Sequence, residues 1–238
     1  MPELRDLPVD LSDEEVPDLV LEMSVPAGPC AAVFDADGVL WRGDVSEDFT
    51  RWMIGQGVFD GALWGEYESV NAADPAAGCF DILRFYGGHS CEEVDSMVAR
   101  FWSEGPSRSW QRSILATLAW AARNRFEIFV VSGTPWPVLR FLQEQRVLPI
   151  DRVLALELEI DADGCYTGWP AGTPSVGEGK ATRIRGATDS PVHLALGNSS
   201  LDLAMLRTSR GIAWAVDPDD SLRAASEKDG WLITEETR

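Results

Sequence analysis

An α/β fold, a doubly wound parallel sheet with a helical insertion after its first strand, is predicted by three features of the sequence. From residue 109 onward, short apolar runs alternate with stretches of helical period, the pattern of strands joined by crossover helices. The first apolar run, Ala31-Ala32-Val33-Phe34, lacks polar alternation and reads as a strand buried on both faces. Residues 44–107 carry helical patterns and no convincing strand.

Residues 1–29 are rich in proline and acid and read as an N-terminal arm. Within them Ser12-Asp13-Glu14-Glu15 can cap a short helix, limited by Pro17 and Pro26. The first strand covers about 31–35. Asp44 or Ser46 can cap a helix over 47–54 that ends at Gly55 or Gly57. Further helical stretches cover 61–70, 76–86 and 91–103. The last opens on the capping box Ser90-Cys91-Glu92-Glu93 and places Val94, Met97, Val98 and Phe101 on one face. Helix 109–125, strand 126–131 and helix 136–145 follow. Strand 153–160 leads into the turn Asp161-Ala162-Asp163-Gly164, and 165–168 returns as a hairpin. Helix 179–186, strand 192–196, helix 199–206, strand 212–216, helix 219–228 and strand 231–234 complete the chain. The expected organisation is an arm (1–29), an α/β core (30–43 and 108–238) and a helical cap (44–107).

The 238 residues are 45% hydrophobic, enough for a substantial core, and carry a formal charge of −19. That charge excludes the basic footprint of a nucleic-acid binder and repels anionic membranes. An anionic substrate would need a local cation. Cys30, Cys79, Cys91 and Cys165 form no C-x-x-C pair, which fits reduced thiols and a cytoplasmic setting. His89 and His193 show no metal-ligand spacing. The acidic start has no basic, apolar leader, and no window reaches the length of a membrane span.

Four stretches carry candidate chemistry. Asp35 and Asp37 stand two residues apart at the end of the first strand, followed by Gly38. In extended chain they face the same side, so they form either a two-carboxylate site or a polar turn. Ser132 and Gly133, followed by Thr134, end the second strand with a hydroxyl and free N–H groups suited to phosphate oxygens. Lys180 is one of two lysines, set among Gly177 and Gly179 at a helix start. In Gly197-Asn198-Ser199-Ser200-Leu201-Asp202, an amide and a carboxylate follow a strand, as a site or as a helix cap.

In this order, D-x-D-G at Asp35–Gly38, S-G-T at Ser132–Thr134, Lys180 and G-N-x-x-x-D at Gly197–Asp202 resemble the haloacid dehalogenase superfamily. The run from Leu154 to Gly168 is similar to its phosphoserine-phosphatase-like branch, which includes phosphocholine phosphatases. The resemblance implies a Rossmann-like core with a cap after the first strand. It further implies a magnesium-dependent phosphomonoester hydrolase working through an aspartyl phosphate on a small phosphorylated metabolite, with phosphoserine and phosphocholine as candidates. Asp35 would be the nucleophile and Asp37 the general acid and base. Lys180 would pair with Asp35 and a phosphate oxygen, which Ser132 and Gly133 also help to bind. Mg2+ would be held by Asp35, Asp37 through its carbonyl, and Asn198 or Asp202. Asn198 departs from the aspartate more usual there. The alternatives are a phosphomutase or phosphotransferase with the same nucleophile, or a weakly catalytic binding module.

Substrate choice would lie with the cap. Asp44 and Glu47 can meet a substrate amine, although Glu47 and Arg51 also have the spacing of a surface ion pair. A substrate carboxylate would call for Arg51, Arg84 or Arg100. Trp41, Trp52, Trp64, Trp102 and Trp110 serve either as cap core or as a face for a quaternary ammonium.

Overall fold

The computed structural model describes residues 8, 10–146 and 148–235; residues 1–7 and 9 of the expected arm lie outside them. The arm is better anchored than its composition suggests. After a 3-10 turn at Asp13–Glu15, helix α1 (Asp18–Leu21) follows, and Val16 and Val20 are buried in the main core. Its acids meet arginines of a later helix, with Arg112 Nε 2.6 Å from Glu15 Oε1 and Arg123 paired with Asp13.

Strand β1 (Ala31–Phe34) is wholly buried and is followed by a loop into the insertion. There helix α2 (Val45–Gly55) is capped by Asp44, whose Oδ1 accepts the Ser46 and Glu47 N–H groups at 2.8 and 3.0 Å. Helices α3 (Trp64–Ala73), α4 (Pro75–Asp81) and α5 (Cys91–Glu104) follow. The single helix expected over 76–86 is two pieces. Asp74 caps α4 with Pro75 in its first turn, and the chain tightens into a 3-10 helix at Ile82–Tyr86.

Helix α6 (Arg112–Arg123) leads back into the sheet through β2 (Glu127–Pro135), α7 (Trp136–Gln145) and β3 (Arg152–Leu156). The strand expected over 153–160 divides at Glu157. Its second part, β4 (Leu158–Ile160), pairs antiparallel with β5 (Tyr166–Pro170) in a separate hairpin. The hairpin lies against the insertion, with Gly88 N donating to Tyr166 O at 2.8 Å and Cys91 N to Gly164 O at 3.0 Å. The chain ends with α8 (Glu178–Ala187), β6 (Val192–Gly197), α9 (Leu203–Leu206), β7 (Ile212–Val216), α10 (Asp220–Asp229) and β8 (Leu232–Thr234).

The main sheet has the order β3-β2-β1-β6-β7-β8, and every pairing is parallel. This is the doubly wound arrangement expected from the sequence. One apolar cluster joins Phe34 and Ile128 of the sheet to Phe49, Tyr86 and Phe101 of the inserted helices. The tryptophans belong largely to this packing. Trp41 is fully buried, with Trp102 and Trp110 edge-on at 5.9 and 5.3 Å between centroids. Among the described residues, no helix is long and apolar enough to cross a membrane.

The loop after β1 is held from the side by Gln111, which carries no motif. Its Nε2 donates to the Gly38 and Val39 carbonyls at 2.7 and 2.9 Å. Replacement by leucine keeps the bulk but strands two carbonyl groups away from water. Gln111→Leu is therefore expected to lower stability by about 1–3 kcal/mol. The check is a urea titration, in which the midpoint should fall at an unchanged slope.

Candidate active site

The carboxyl ends of β1, β2 and β6 meet at one edge of the sheet, where the strand order reverses about β1. Ligands of such sheets bind in the crevice at that reversal. A cavity of about 490 Å³ occupies it, closed above by the inserted helices. Asp35, Asp37, Ser132, Gly133, Lys180 and Asn198 all line it. Four separate segments of sequence thus converge on it.

Lys180 stands at the third residue of α8 and is buried. Its Nζ lies 2.7 Å from Asp35 Oδ1 and 2.5 Å from Asp202 Oδ1. Burial alone would lower the lysine pKa, but Asp202 and Asp35 outweigh it and hold the ammonium above its ordinary value. The adjacent glycine is a steric requirement, because a Cβ on Gly179 would fall 1.9 Å from the Pro174 carbonyl oxygen. Burial pushes the Asp35 carboxyl up to about 7, Asp202 adds to the rise, and Lys180 opposes it.

Asp37 is held quite differently. Its Oδ1 accepts the Trp41 Nε1–H at 2.9 Å and the Val45 N–H at 2.6 Å, and Oδ2 meets the Thr134 hydroxyl. Among the described residues, no lysine or arginine pairs with it. Burial, and then the Asp44 carboxylate, pushes its pKa up to about 8, against the hydrogen bonds from Thr134 and Val45. Thr134 and Trp41 are functional contacts that sequence reasoning did not assign. The S-G-T run contained one of them, but nothing in the spacing linked either to Asp37.

Asp202 departs from its expected place among the cation ligands. It is fully buried and does not line the cavity. The 3-10 turn at Ser200–Asp202 curls its carboxylate back, so that Oδ2 accepts the Asn198 and Ser199 N–H groups at 3.0 and 3.1 Å. Oδ1 is taken by Lys180. Asp202 therefore positions the lysine, and the motif presents Asn198, Ser199 and Leu201 to the cavity. The Asn198 amide packs on Gly38, where a Cβ would fall 2.0 Å from Asn198 Nδ2 and where φ is +70°. Among the described residues, no three His, Cys, Asp or Glu side chains gather as a metal cluster. A hard cation would instead use the oxygen donors of Asp35, the Asn198 amide and the Asp37 carbonyl. These are donor types that suit magnesium, and the Asp37 side chain is already engaged.

Ser132 Oγ accepts the Thr134 N–H at 3.1 Å, which leaves its own proton for a ligand. From the inserted helices, Glu47, Tyr67, Asn71 and Cys79 reach the cavity wall. The last three carried no recognisable signal in the sequence. Burial, and then Asp44, pushes the Cys79 thiol up to about 12. Asp44 lines the cavity as expected, but Arg51 does not. Arg51 is drawn outward by Glu47 Oε2 at 3.0 Å and by the Trp64 ring, whose centroid lies 4.5 Å from its Cζ.

Residues 32–207 match the family described as haloacid dehalogenase-like hydrolase. A histidinol-phosphatase of Neisseria meningitidis is 28% identical, with 85% of this chain and 96% of that protein covered. A phosphoserine phosphatase of Mycobacterium tuberculosis is 26% identical, covering 85% of this chain and 70% of that one. Among solved structures, a Bordetella pertussis Tohama I protein of unknown function has a TM-score of 0.74 at 19% identity, over 86% of this chain and 97% of that chain. A substrate-bound phosphoserine phosphatase has a TM-score of 0.62 at 16% identity, over 89% and 95%. The structural likenesses bear out the doubly wound fold.

A carboxyl whose pKa is raised on folding binds its proton more tightly in the folded chain, so its contribution to stability is lost as pH rises. For Asp37 the loss runs from about 4 in the unfolded chain to about 8 in the folded one. Metal-free protein should therefore melt at progressively lower temperature as pH is raised across the upper part of that window. Asp37→Asn should flatten the slope. Differential scanning fluorimetry across this range decides it, and equal slopes in both proteins would refute the assignment.

Proposed function

We propose that this chain, which belongs to the haloacid dehalogenase-like hydrolase family, is a magnesium-dependent phosphatase. It hydrolyses a small phosphate monoester through an aspartyl-phosphate intermediate. The observation that carries this reading is the unequal treatment of two carboxylates in one cavity. Asp35 is bonded to the Lys180 ammonium at 2.7 Å, whereas Asp37 has three hydrogen-bond donors and, among the described residues, no cationic partner. The ammonium beside Asp35 favours the ionised form that a nucleophile needs, and the cation-free pocket of Asp37 favours the protonated form that a general acid needs.

In the first step Asp35 attacks phosphorus in line with the leaving oxygen, and the ester P–O bond breaks. Asp37 gives its proton to the departing alkoxide. In the second step Asp37, now a carboxylate, takes a proton from water, whose oxygen attacks the phosphorus of the aspartyl phosphate. Asp35 is released with inorganic phosphate, and Asp37 is again protonated. Throughout, Lys180 fixes Asp35 and offsets phosphate charge, and the Ser132 hydroxyl and Gly133 N–H hold phosphate oxygens. Asp35, Asn198 and the Asp37 carbonyl would hold magnesium. Bound there, the ion supplies the positive charge that lets a carboxylate and a phosphate dianion approach. The histidinol-phosphatase and phosphoserine phosphatase relatives support phosphate-ester chemistry.

Steady-state release of inorganic phosphate from 4-nitrophenyl phosphate tests the reading. Turnover should require magnesium and stop in EDTA. Asp37→Asn should lower kcat by about 10²–10⁴-fold, and Asp35→Asn should reduce it to background. Full activity in Asp35→Asn, or in EDTA, would overturn the reading. Transfer of the phosphoryl group to an added alcohol, in place of phosphate release, would assign a phosphotransferase.

A further inference from the structure

The carboxylates that the insertion brings to the cavity bear on the alcohol that leaves. Lys180, Ser132 and Gly133 line the sheet end together with Asp35 and Asp37. Asp44 and Glu47 line the cavity from the start of α2. Glu47 is already satisfied. Arg51 takes its Oε2, and Tyr67 and Asn71 donate to Oε1 at 3.0 and 3.2 Å. Asp44 is not: its helix-capping bonds use Oδ1 alone, and among the described residues it enters no ion pair.

No arginine answers this acidity from within the cavity. Among the described residues, Lys180 is its one cationic lining side chain. Arg84 is held outside by Glu66 and Asp81 at 3.0 and 3.1 Å, and Arg100 by Glu104 at 3.2 Å. A carboxylate on the substrate would therefore face Asp44 with no positive partner of its own, a repulsive arrangement that discriminates against it. Nor do aromatic faces enclose the wall. Tyr67 is the aromatic residue that lines it among the described residues, and its hydroxyl is committed to Glu47. Trp41 and Trp102 are buried in the core. A quaternary ammonium, which has no N–H and is bound by aromatic cages, finds little here. A primary ammonium can place an N–H on the Asp44 carboxylate.

We infer that the substrate is the phosphate ester of a primary amino alcohol without a carboxylate, its ammonium seated on Asp44. The inference rests on the phosphatase reading above and narrows it to a substrate class.

A matched series of esters tests it: 2-aminoethyl phosphate, ethyl phosphate, O-phosphoserine and phosphocholine, with 4-nitrophenyl phosphate as a reference. The aminoethyl ester should show kcat/KM at least about tenfold above each of the other three alkyl esters. In Asp44→Asn, which keeps the oxygen that caps α2, the ratio of aminoethyl to ethyl ester should fall by about tenfold. That ratio would not move if Asp44 served only the helix. Equal or better use of O-phosphoserine or phosphocholine, or an unchanged ratio in Asp44→Asn, overturns this inference and leaves the phosphatase reading standing. Failure to hydrolyse any ester, the nitrophenyl one included, overturns both.

Discussion

The buried ammonium of Lys180, shared between Asp35 and Asp202, is the interaction on which the rest of the site depends. A lone charge at that depth would be strongly disfavoured. Two carboxylates at 2.7 and 2.5 Å reverse the balance, one just after β1 and the other in the 3-10 turn that follows β6. One side chain of α8 thus ties three segments together. Removing a partner from such a group leaves an uncompensated buried charge, commonly a loss of about 3–5 kcal/mol. Asp202 in turn accepts the N–H groups of Asn198 and Ser199. Lys180, Asp35 and the loop that presents Asn198 are therefore bonded into one unit.

Asp37 gains its separate character from what surrounds it, not from its distance along the chain. It lies two residues from Asp35, yet the chain turns at Gly38 and takes it away from the ammonium. Trp41, Val45 and Thr134 receive it instead. Trp41 also sits edge-on to Trp102 and Trp110, so the Asp37 carboxyl is braced by the same apolar cluster that fastens the inserted helices to the sheet. Packing of the insertion and the chemistry of Asp37 are physically linked.

The parts legible in the sequence were those whose local pattern carries its own physics. The apolar runs of β1, β6 and β7 name buried strands, and glycines beside Lys180 mark a close approach that Gly179 makes to Pro174. Asp44 as a helix cap was likewise readable from its position. What sequence did not yield depends on long-range meetings. Gln111 bonds carbonyls more than seventy residues away in the chain, and Thr134 meets Asp37 across two strands. The resemblance implies Asn198 or Asp202 as a holder of the cation, and it does not say which. The direction of the Asp202 carboxylate is set by the tight turn that curls it inward, which composition does not reveal. Arg51 stays out of the cavity lining for a related reason: its guanidinium is taken by Glu47 of its own helix and by the Trp64 ring of the next one.

Asn198 bears most directly on how such an acidic cavity handles a phosphate. Asp35, Asp37, Asp44 and Glu47 already line it against the single charge of Lys180. A carboxylate at 198 would raise the cost of ionising Asp35, already pushed upward by burial and Asp202, and would repel the incoming dianion. An amide keeps an oxygen donor at that corner without adding charge. Its close packing on Gly38 fixes it beside the Asp37 backbone without help from a salt bridge. On the phosphatase reading, the amide would exchange some attraction for a cation for weaker repulsion of the substrate. That exchange suits a cavity in which, among the described residues, the Asp44 carboxylate enters no ion pair.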